Sequence, residues 1–343
     1  MDQLNRQWLL ARRPQGLIVA EDFEWKEGPV PVPAEGEVLV RTQVLSCDPT
    51  QRGWIAGDTY LPAVKIGEVV RSFAAGRVVV SKNKRFQVGQ MVQGLFGWQD
   101  YACVKPATQS APTPVPAGVP LETAMSALGM TGQTAYFGLL EIGKPKAGET
   151  VVVSGAAGAT GSAVGQIAKI QGCRVVGIAG GAAKCRALVD ELGFDVAIDY
   201  KAEDVSKRLR EACPKGVDVY FDNVGGEILD AALANLAMRG RVVLCGAIAR
   251  YNDQGGAAGP KNYLNLLLKR GRMEGFIILD YYSRSAEAVA ALSGWLADGR
   301  LKNRVDVQHG LENAPATLAR LFSGENAGKQ LLRIADDAAV APA

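Results

Sequence analysis

The sequence has little of what metal-dependent and nucleophilic enzymes use. It contains one histidine, His309, and six cysteines that lie far apart, without the close pairs of a zinc site or the cysteine density of a secreted scaffold. Cys47 could be a metal ligand, but the segment 66–70 has no histidine to serve as a second one. We therefore expect a buried, unligated Cys47, no metal, and a reduced, cytoplasmic protein.

The chain also lacks any strong charge imbalance or long apolar run. Its 38 basic and 35 acidic residues are spread evenly, so no basic stripe indicates a nucleic-acid partner. No apolar segment approaches the roughly 20 residues that span a bilayer, so we expect neither a membrane partner nor a signal peptide. With 343 residues, 48% of them hydrophobic, the chain can form two domains, and a small-molecule partner is expected.

Two regions of the chain differ in pattern. Up to about residue 120, short alternating strands such as 37–46 and 76–80 predict a β-rich unit. The segment 105–120 holds five prolines, which regular structure cannot run through, so we interpret it as a boundary. Beyond it, strands and helices alternate, which favours an α/β fold with parallel strands joined by right-handed helical crossovers. The predicted elements are helix 121–141, strand 150–154, a helix to about 172, strand 174–178, helix 182–192, strands 196–198 and 217–222, helix 229–237 and strand 241–245.

A glycine series follows the first strand of this second region. Gly155, Gly158 and Gly161 end a strand and open a helix, so backbone amides and the positive end of the helix would face a phosphate. Gly161 would let the helix pack closely on the sheet. The GxxGxxG spacing is a variant of the dinucleotide fingerprint, although glycines at such a turn can also be plain turn chemistry. The alternating elements around it favour a dinucleotide site.

The next strand indicates which dinucleotide is bound. An NAD site usually has an acidic residue at the end of its second strand, but the segment 175–186 has none, and the first carboxylate is Asp190. Small residues there leave room for a 2′-phosphate, and Lys184 is within reach as its partner, although it could also be a solvated helix residue. NADPH is the favoured cofactor.

The reaction type is limited by the relays that the sequence does not offer. The only YxxxK match, 101–105, lies upstream of the nucleotide-binding region, and His309 has no recognisable serine or cysteine partner motif. Without zinc or a histidine relay, hydride transfer to a carbon that is already polarised is the simplest reaction.

Six motifs together resemble the zinc-independent medium-chain reductases. They are GATG (158–161), DYK (199–201), FDNVGGE (221–227), CGAIARYN (245–252), RMEGF (272–276) and GENAGK (324–329). The most similar subgroup contains the prostaglandin and leukotriene reductases, the plant alkenal double-bond reductases and bacterial curcumin reductase. The resemblance implies a GroES-like catalytic domain over 1–122, completed by 310–343, and a Rossmann domain over 123–309. It also implies reduction of the C=C bond of α,β-unsaturated ketones or aldehydes by hydride transfer from NADPH to the β-carbon.

Matched position by position, the resemblance implies a cofactor site. The pyrophosphate would lie over Gly158, Ala159, Thr160 and Gly161, and the 2′-phosphate near Lys184 and Tyr200. The nicotinamide half would be held by Asn223, by the turn Cys245, Gly246, Ala247, Ile248 and Tyr251, by Phe276, Ile277 and Ile278, and by Asn326. Asn223 also follows the end of a strand, where open α/β sheets bind ligands, although it could be an ordinary turn residue.

Tyr251 and Tyr60 are the candidate catalytic residues. Hydride addition leaves an enolate, and a donor aimed at its oxygen lowers the barrier, although Tyr251 could instead pack the cofactor, and Thr50 and water compete as proton donors. The subgroup often reads DPYMR where this chain reads DPTQR (48–52), so Thr50 replaces an aromatic residue of the substrate pocket. Trp54, Tyr60 and Trp98 could supply the pocket walls or belong to the core.

Reaction class and assembly leave alternatives. A quinone reductase on the same fold is the second enzymatic hypothesis, and a non-catalytic NADPH-binding sensor is a hypothesis of a different class. The resemblance also implies a homodimer, and the expected contact is the sheet edge near 272–278, because an unpaired apolar edge strand invites pairing.

Overall fold

The computed structural model describes residues 4–106, 111–253 and 259–336. These residues form two compact units. The first comprises the described residues up to Met125, Val305–Asn326 and those from Gln330 onward, and the second comprises Ser126–Arg304 and Ala327–Lys329.

Strands are found in both units. In chain order they are β1 (Leu4–Leu10), β2 (Phe23–Pro29), β3 (Val38–Ser46), β4 (Phe73–Ser81), β5 (Met91–Leu95), β6 (Tyr101–Val104), β7 (Thr113–Pro114), β8 (Thr150–Ser154), β9 (Arg174–Ala179), β10 (Val196–Asp199), β11 (Val217–Asp222), β12 (Leu236–Leu244), β13 (Arg272–Gly275), β14 (Val305–His309) and β15 (Lys329–Arg333).

Helices connect these strands, mainly in the second unit. The α-helices are α1 (Thr50–Ala56), α2 (Leu121–Ala124), α3 (Met130–Phe137), α4 (Ala159–Ile170), α5 (Ala182–Asp190), α6 (Val205–Ala212), α7 (Gly226–Ala234), α8 (Leu264–Lys269), α9 (Ser285–Ala297) and α10 (Ala314–Ser323). A π-helical turn covers Gly138–Gly143, and 3-10 turns cover Ala20–Asp22, Ile248–Arg250, Ile278–Arg284 and Leu311–Asn313. Within the described ranges, no helix is long and apolar enough to cross a bilayer.

The first unit is built on a β-sheet with strand order β14-β15-β3-β4-β5-β7, in which β6 also pairs with β3. The pairs of β3 with β4, β6 and β15, and of β5 with β4 and β7, are antiparallel. Eight of the nine residues of β3 are buried, because strands lie on both of its edges and its apolar side chains enter the core. This confirms the β-rich unit that the alternating pattern predicts.

The second unit is built on a parallel sheet with strand order β10-β9-β8-β11-β12-β13. Each strand pairs with its neighbours in parallel, so the sheet is doubly wound about β8 and β11, and the Rossmann expectation is confirmed. All five residues of β8 are buried, as expected for a parallel strand covered on both faces.

Two predicted helices differ from the structure by more than two residues at their ends or are interrupted. The helix expected over 121–141 is divided into α2, α3 and the π-helical turn. A Cβ atom on Gly132 would lie 1.8 Å from the carbonyl oxygen of Ala127, so the chain folds back on itself too tightly there for one continuous helix. The helix expected over 229–237 begins at Gly226 and ends at Ala234, because the carbonyl of Asn235 accepts a hydrogen bond from Val217 N and the chain enters β12.

Candidate active site

The turn after β8 fits a bound phosphate. It begins at Gly155, whose φ of +57° is a left-handed conformation that favours glycine, and Gly158 is the N-cap of α4. A Cβ atom on Gly161 would lie 2.3 Å from the carbonyl oxygen of Gly155, so only glycine lets the first turn of α4 approach the strand end this closely. Backbone amides at the N-terminus of a twelve-residue helix attract anions.

This turn lies where open α/β sheets bind their ligands. The crossovers of β8 and β11 lead to opposite sides of the sheet, and the crevice at the carboxyl ends of two such strands is the usual ligand site. The segment Ala327–Lys329 also passes beside the turn, since Gly328 N donates a hydrogen bond of 3.0 Å to the carbonyl of Ala157. Asn326 belongs to the first unit.

A buried carboxylate at the end of β11 organises the crevice. The Oδ1 atom of Asp222 accepts hydrogen bonds from the Ser154 hydroxyl (3.0 Å) and the Tyr220 phenol (2.8 Å), and from the amides of Val224 and Gly225. Burial raises the pKa of Asp222, against the lowering effect of these donors. The ends of β8 and β11 are thereby joined by one side chain that the sequence analysis did not single out.

The predicted nicotinamide-binding residues are attached to this network. Asn223 is held to Ser154 by two hydrogen bonds, because its backbone N donates to Ser154 Oγ at 2.9 Å and its side-chain Nδ2 donates to the Ser154 carbonyl at 2.7 Å. The amides of Cys245 and Gly246 donate to the carbonyl of Asp222, and Ile248 N donates to the carbonyl of Asn223. The structure therefore brings Asn223 and the start of the turn 245–251 together.

Tyr251 closes the same turn. Its phenol oxygen accepts a hydrogen bond of 3.3 Å from Ala247 N, and a Cβ atom on Gly246 would lie 3.2 Å from that oxygen. Burial raises the pKa of the Cys245 thiol to about 12, and the Asp222 carboxylate adds to the effect. Cys245 is therefore a neutral thiol at physiological pH, which suits a residue that contributes its backbone rather than a nucleophile.

The predicted 2′-phosphate residues lie after β9 and β10. Lys184 is half-buried in the first turn of α5, and Tyr200, 45% exposed, follows β10 directly. A Cβ atom on Gly180 would lie 2.9 Å from the Tyr200 ring, so the ring covers this glycine. The carboxylate of Asp199 accepts hydrogen bonds from Gly181 N (2.8 Å) and Lys201 N (3.0 Å), and it thereby holds the loops that carry Lys184 and Tyr200.

Phe276, Ile277 and Ile278 follow β13 at the edge of the sheet. The Phe276 ring packs edge-on against Phe221 at 6.5 Å, and a Cβ atom on Gly138 would lie 2.4 Å from it. The ring therefore contributes to packing, Phe276 and Ile277 are both half-buried, and Ile278 is buried.

The predicted substrate residues lie in the first unit, and three of the four are close together. The Thr50 hydroxyl is 2.8 Å from the Tyr60 hydroxyl, and the Trp54 ring meets the Tyr60 ring edge-on at 6.4 Å. Tyr60 is 45% exposed and Trp54 is buried, so Trp54 supports a phenol that solvent and ligands can reach. Trp98 is 0% exposed and packs against Phe23, so the structure places it in the core rather than in a pocket wall.

Neither residue considered for metal binding has the surroundings of a ligand. Cys47 is buried, and its backbone amide donates to the carbonyl of Gln330. His309 ends β14 with an exposed side chain. In the parts of the chain that the structure describes, no group of three or more histidine, cysteine, aspartate or glutamate side chains could hold a metal ion.

Comparisons with known proteins identify the family. Residues 6–111 match the family model described as the N-terminal domain of oxidoreductase, and residues 159–294 match the one described as zinc-binding dehydrogenase. The chain is 43% identical to the NADPH-dependent curcumin reductase of Escherichia coli K12, over 98% of both chains. It is a zinc-independent medium-chain reductase.

Two further relatives of this reductase agree with that assignment. It is 39% identical to the NADP(+)-dependent 2-alkenal reductase of Nicotiana tabacum, over 96% of this chain and 97% of that one. Its structure matches the crystal structure of CurA from Vibrio vulnificus in complex with NADPH with a TM-score of 0.91 and 42% identity, covering 96% of this chain and 99% of that one. The motif resemblance and the fold class are therefore both confirmed.

Proposed function

We propose that this reductase uses NADPH to reduce the C=C bond of α,β-unsaturated ketones or aldehydes, by hydride transfer to the β-carbon and without zinc. The relatives that match along the whole chain are named as NADPH-dependent reductases of curcumin and of 2-alkenals. The observation that carries the proposal is the glycine turn at Gly155–Gly161, joined through Ser154 and Asp222 to the turn that holds Tyr251. NADPH, when bound, supplies the hydride.

The second unit supplies the residues proposed to hold the cofactor. Gly158 to Gly161 would bind the pyrophosphate, and Lys184 and Tyr200 the 2′-phosphate. Asn223, the turn Cys245–Tyr251 and the segment Phe276–Ile278 would bind the nicotinamide half, together with Asn326. The fixed position of Asn223 supports this assignment, because a preorganised amide loses no conformational freedom when the cofactor binds.

Two phenols are the proposed donors to the enolate oxygen. The Tyr251 oxygen accepts a hydrogen bond from an amide, and a hydroxyl that accepts one hydrogen bond becomes a stronger donor in another. Tyr60 shares a hydrogen bond with the Thr50 hydroxyl, which orients the phenol as a donor toward the enolate oxygen. Thr50 thus replaces the usual aromatic residue with a hydroxyl that positions Tyr60.

A substrate panel tests the function. We expect NADPH oxidation, followed by absorbance, with conjugated enones and 2-alkenals, at a kcat/KM at least tenfold above that with quinones and above that with NADH as cofactor. Faster turnover of quinones would favour the quinone reductase alternative. NADPH binding without turnover of any conjugated carbonyl would favour the non-catalytic sensor.

We also propose a homodimer that uses the edge of the parallel sheet. The edge strand β13 is mostly polar, so the apolar contact expected near 272–278 is better supplied by α8, which comes just before it in the chain. Leu264, Leu267 and Leu268 on α8 are 57%, 72% and 62% exposed. Light scattering should show a dimer that Leu267→Lys weakens. Val88→Lys, which changes a 66% exposed residue of the first unit, should leave the dimer intact.

The domain limits and the location are proposals as well. We assign 1–122 with 310–343 to the catalytic domain and 123–309 to the nucleotide-binding domain, which the two compact units support. Residues 1–3, 107–110, 254–258 and 337–343 of this assignment lie outside the described part of the chain. A cytoplasmic location is supported by six cysteines that form no disulfide in the structure.

A further inference from the structure

A positively charged side chain lies over the aromatic residues of the proposed substrate site. Arg71 comes just before β4, and its guanidinium carbon is 5.8 Å from the centre of the Trp54 ring. That ring also contacts the Tyr60 ring, so the guanidinium and the Tyr60 phenol both pack against one buried indole. Stacking on an aromatic face holds a guanidinium in one orientation.

The backbone around Arg71 is fixed as well. Gln51, in α1, donates from Nε2 to the Arg71 carbonyl at 3.0 Å and accepts from Asp48 N at 2.8 Å. The next residue, Ser72, is fully buried and donates to the carbonyl of Ser46. The cation is therefore held against the helix that begins with Thr50, and it is not a freely moving surface side chain.

No carboxylate of the described residues lies in ion-pair contact with this cation, and the Glu68 carboxylate acts on it only at longer range, by raising its pKa against the effect of burial. The one hydrogen bond of this guanidinium runs from Nη1 to the carbonyl of Pro62, at 2.8 Å. Glu68, the nearest acidic residue in sequence, accepts instead from Lys65 N and lies 3.9 Å from Lys65 Nζ. The half-buried Arg241 differs, because it pairs with Glu149 at 2.6 Å.

Arg71 also differs from arginines that only stabilise loops. Arg52 is buried and donates from two of its nitrogens to the carbonyls of Pro14 and Gly16. Arg13 donates to the carbonyls of Ile55 and Val64. Burial lowers the pKa of the Arg71 guanidinium, although an arginine stays charged at physiological pH, so a partly desolvated cation keeps most of its donors for another partner.

We propose that Arg71 binds a carboxylate carried by the substrate, so that this reductase favours conjugated ketones or aldehydes with an acidic group. The inference rests on the proposed function and adds the substrate class. A guanidinium offers two parallel N–H donors that match the two oxygens of a carboxylate. Because Trp54 already orients and partly desolvates it, the ion pair forms with less loss of side-chain freedom than on an open surface.

Paired substrates test the proposal. We would compare a linear enone with a terminal carboxylate and its methyl ester, using wild type, Arg71→Met, Arg71→Lys and the control Arg85→Met, which removes an exposed arginine of the same unit. Arg71→Met should lower kcat/KM for the acid by about tenfold to a hundredfold, mainly through KM, and change the ester by less than about threefold. Arg71→Lys should recover part of the loss, and Arg85→Met should change neither substrate.

Equal losses for acid and ester in Arg71→Met, or no wild-type preference for the acid, would overturn the carboxylate site and leave the reductase function intact. Failure of wild type to reduce either substrate would overturn the function. Calorimetric binding of the saturated keto acid and its ester decides the carboxylate site separately, because it needs no turnover. Tighter binding of the acid that Arg71→Met abolishes supports the site, and equal binding of both refutes it.

Discussion

The close approach of α4 to the turn after β8 makes Gly161→Ala the most informative substitution. The added Cβ atom would lie 2.3 Å from the Gly155 carbonyl oxygen and 2.9 Å from the Ala156 Cα atom. Carbon atoms in contact prefer about 3.5–4.0 Å, so the helix end and the turn must separate by about 1 Å. The blocking atoms belong to the backbone, so no side-chain rotation can relieve the contact.

The energetic terms for this substitution have opposite signs. Overpacking costs about 1–3 kcal/mol, and replacing a helical glycine by alanine regains about 0.5–1 kcal/mol. We expect the free energy of unfolding to fall by about 1–2 kcal/mol, measured by urea denaturation. The separation would also move the backbone amides at the N-terminus of α4 away from the pyrophosphate and weaken a charged hydrogen bond. The KM for NADPH should therefore rise about tenfold or more.

Gly294 in α9 provides the matched control. It is also a helical glycine of the second unit, but a Cβ atom there would meet nothing within 4 Å. Gly294→Ala should therefore raise the free energy of unfolding by about 0.5–1 kcal/mol and leave the KM for NADPH unchanged. If Gly161→Ala behaved like Gly294→Ala in both assays, the close approach would not be what positions the cofactor.

Four further outcomes are expected. Lys184→Ala should raise the KM for NADPH about tenfold to a hundredfold with little change in kcat, since a remote ion pair binds ground and transition states alike. A wild-type preference for NADH would refute the 2′-phosphate role of Lys184. Tyr251→Phe should keep NADPH affinity within about threefold while kcat for an enone falls at least about tenfold. An unchanged kcat, measured where hydride transfer is rate-limiting, would show that the Tyr251 phenol takes no part in the mechanism. Burial raises the pKa of the Cys213 thiol to about 11, so on raising the pH the unfolded chain loses this proton before the folded chain does. The free energy of unfolding should therefore fall between about pH 9 and 11, and it should fall less steeply in Cys213→Ala. Protein treated with a strong chelator should keep full activity, and activity that only zinc restores would contradict the assignment of Cys47 as a non-ligand.

The glycine turn proposed to hold the pyrophosphate was predictable as a backbone feature because its conformation is local. Gly155, Gly158 and Gly161 stand at a strand end and a helix start, and backbone conformation at such a turn depends on a few neighbouring residues. The parallel sheet was predictable because buried parallel strands leave runs of valine and because crossovers have one hand. The divided helix over 121–141 was not, since the close contact at Gly132 involves a fold of the chain that helix periodicity does not record.

The sequence by itself determined the fold class, the cofactor type and the glycines that need a bare backbone, because each depends on short-range patterns. Only the tertiary structure showed that Asp222 accepts a hydrogen bond from the Ser154 hydroxyl and Asp199 one from Gly181 N, because each partner follows or ends a different strand. It also separated Trp54 and Tyr60, which form one cluster with Thr50, from Trp98, which lies in the core. Burial and pairing of a side chain are fixed by residues distant in sequence, and for that reason the position of Arg71 over the Trp54 ring became visible only in the folded chain.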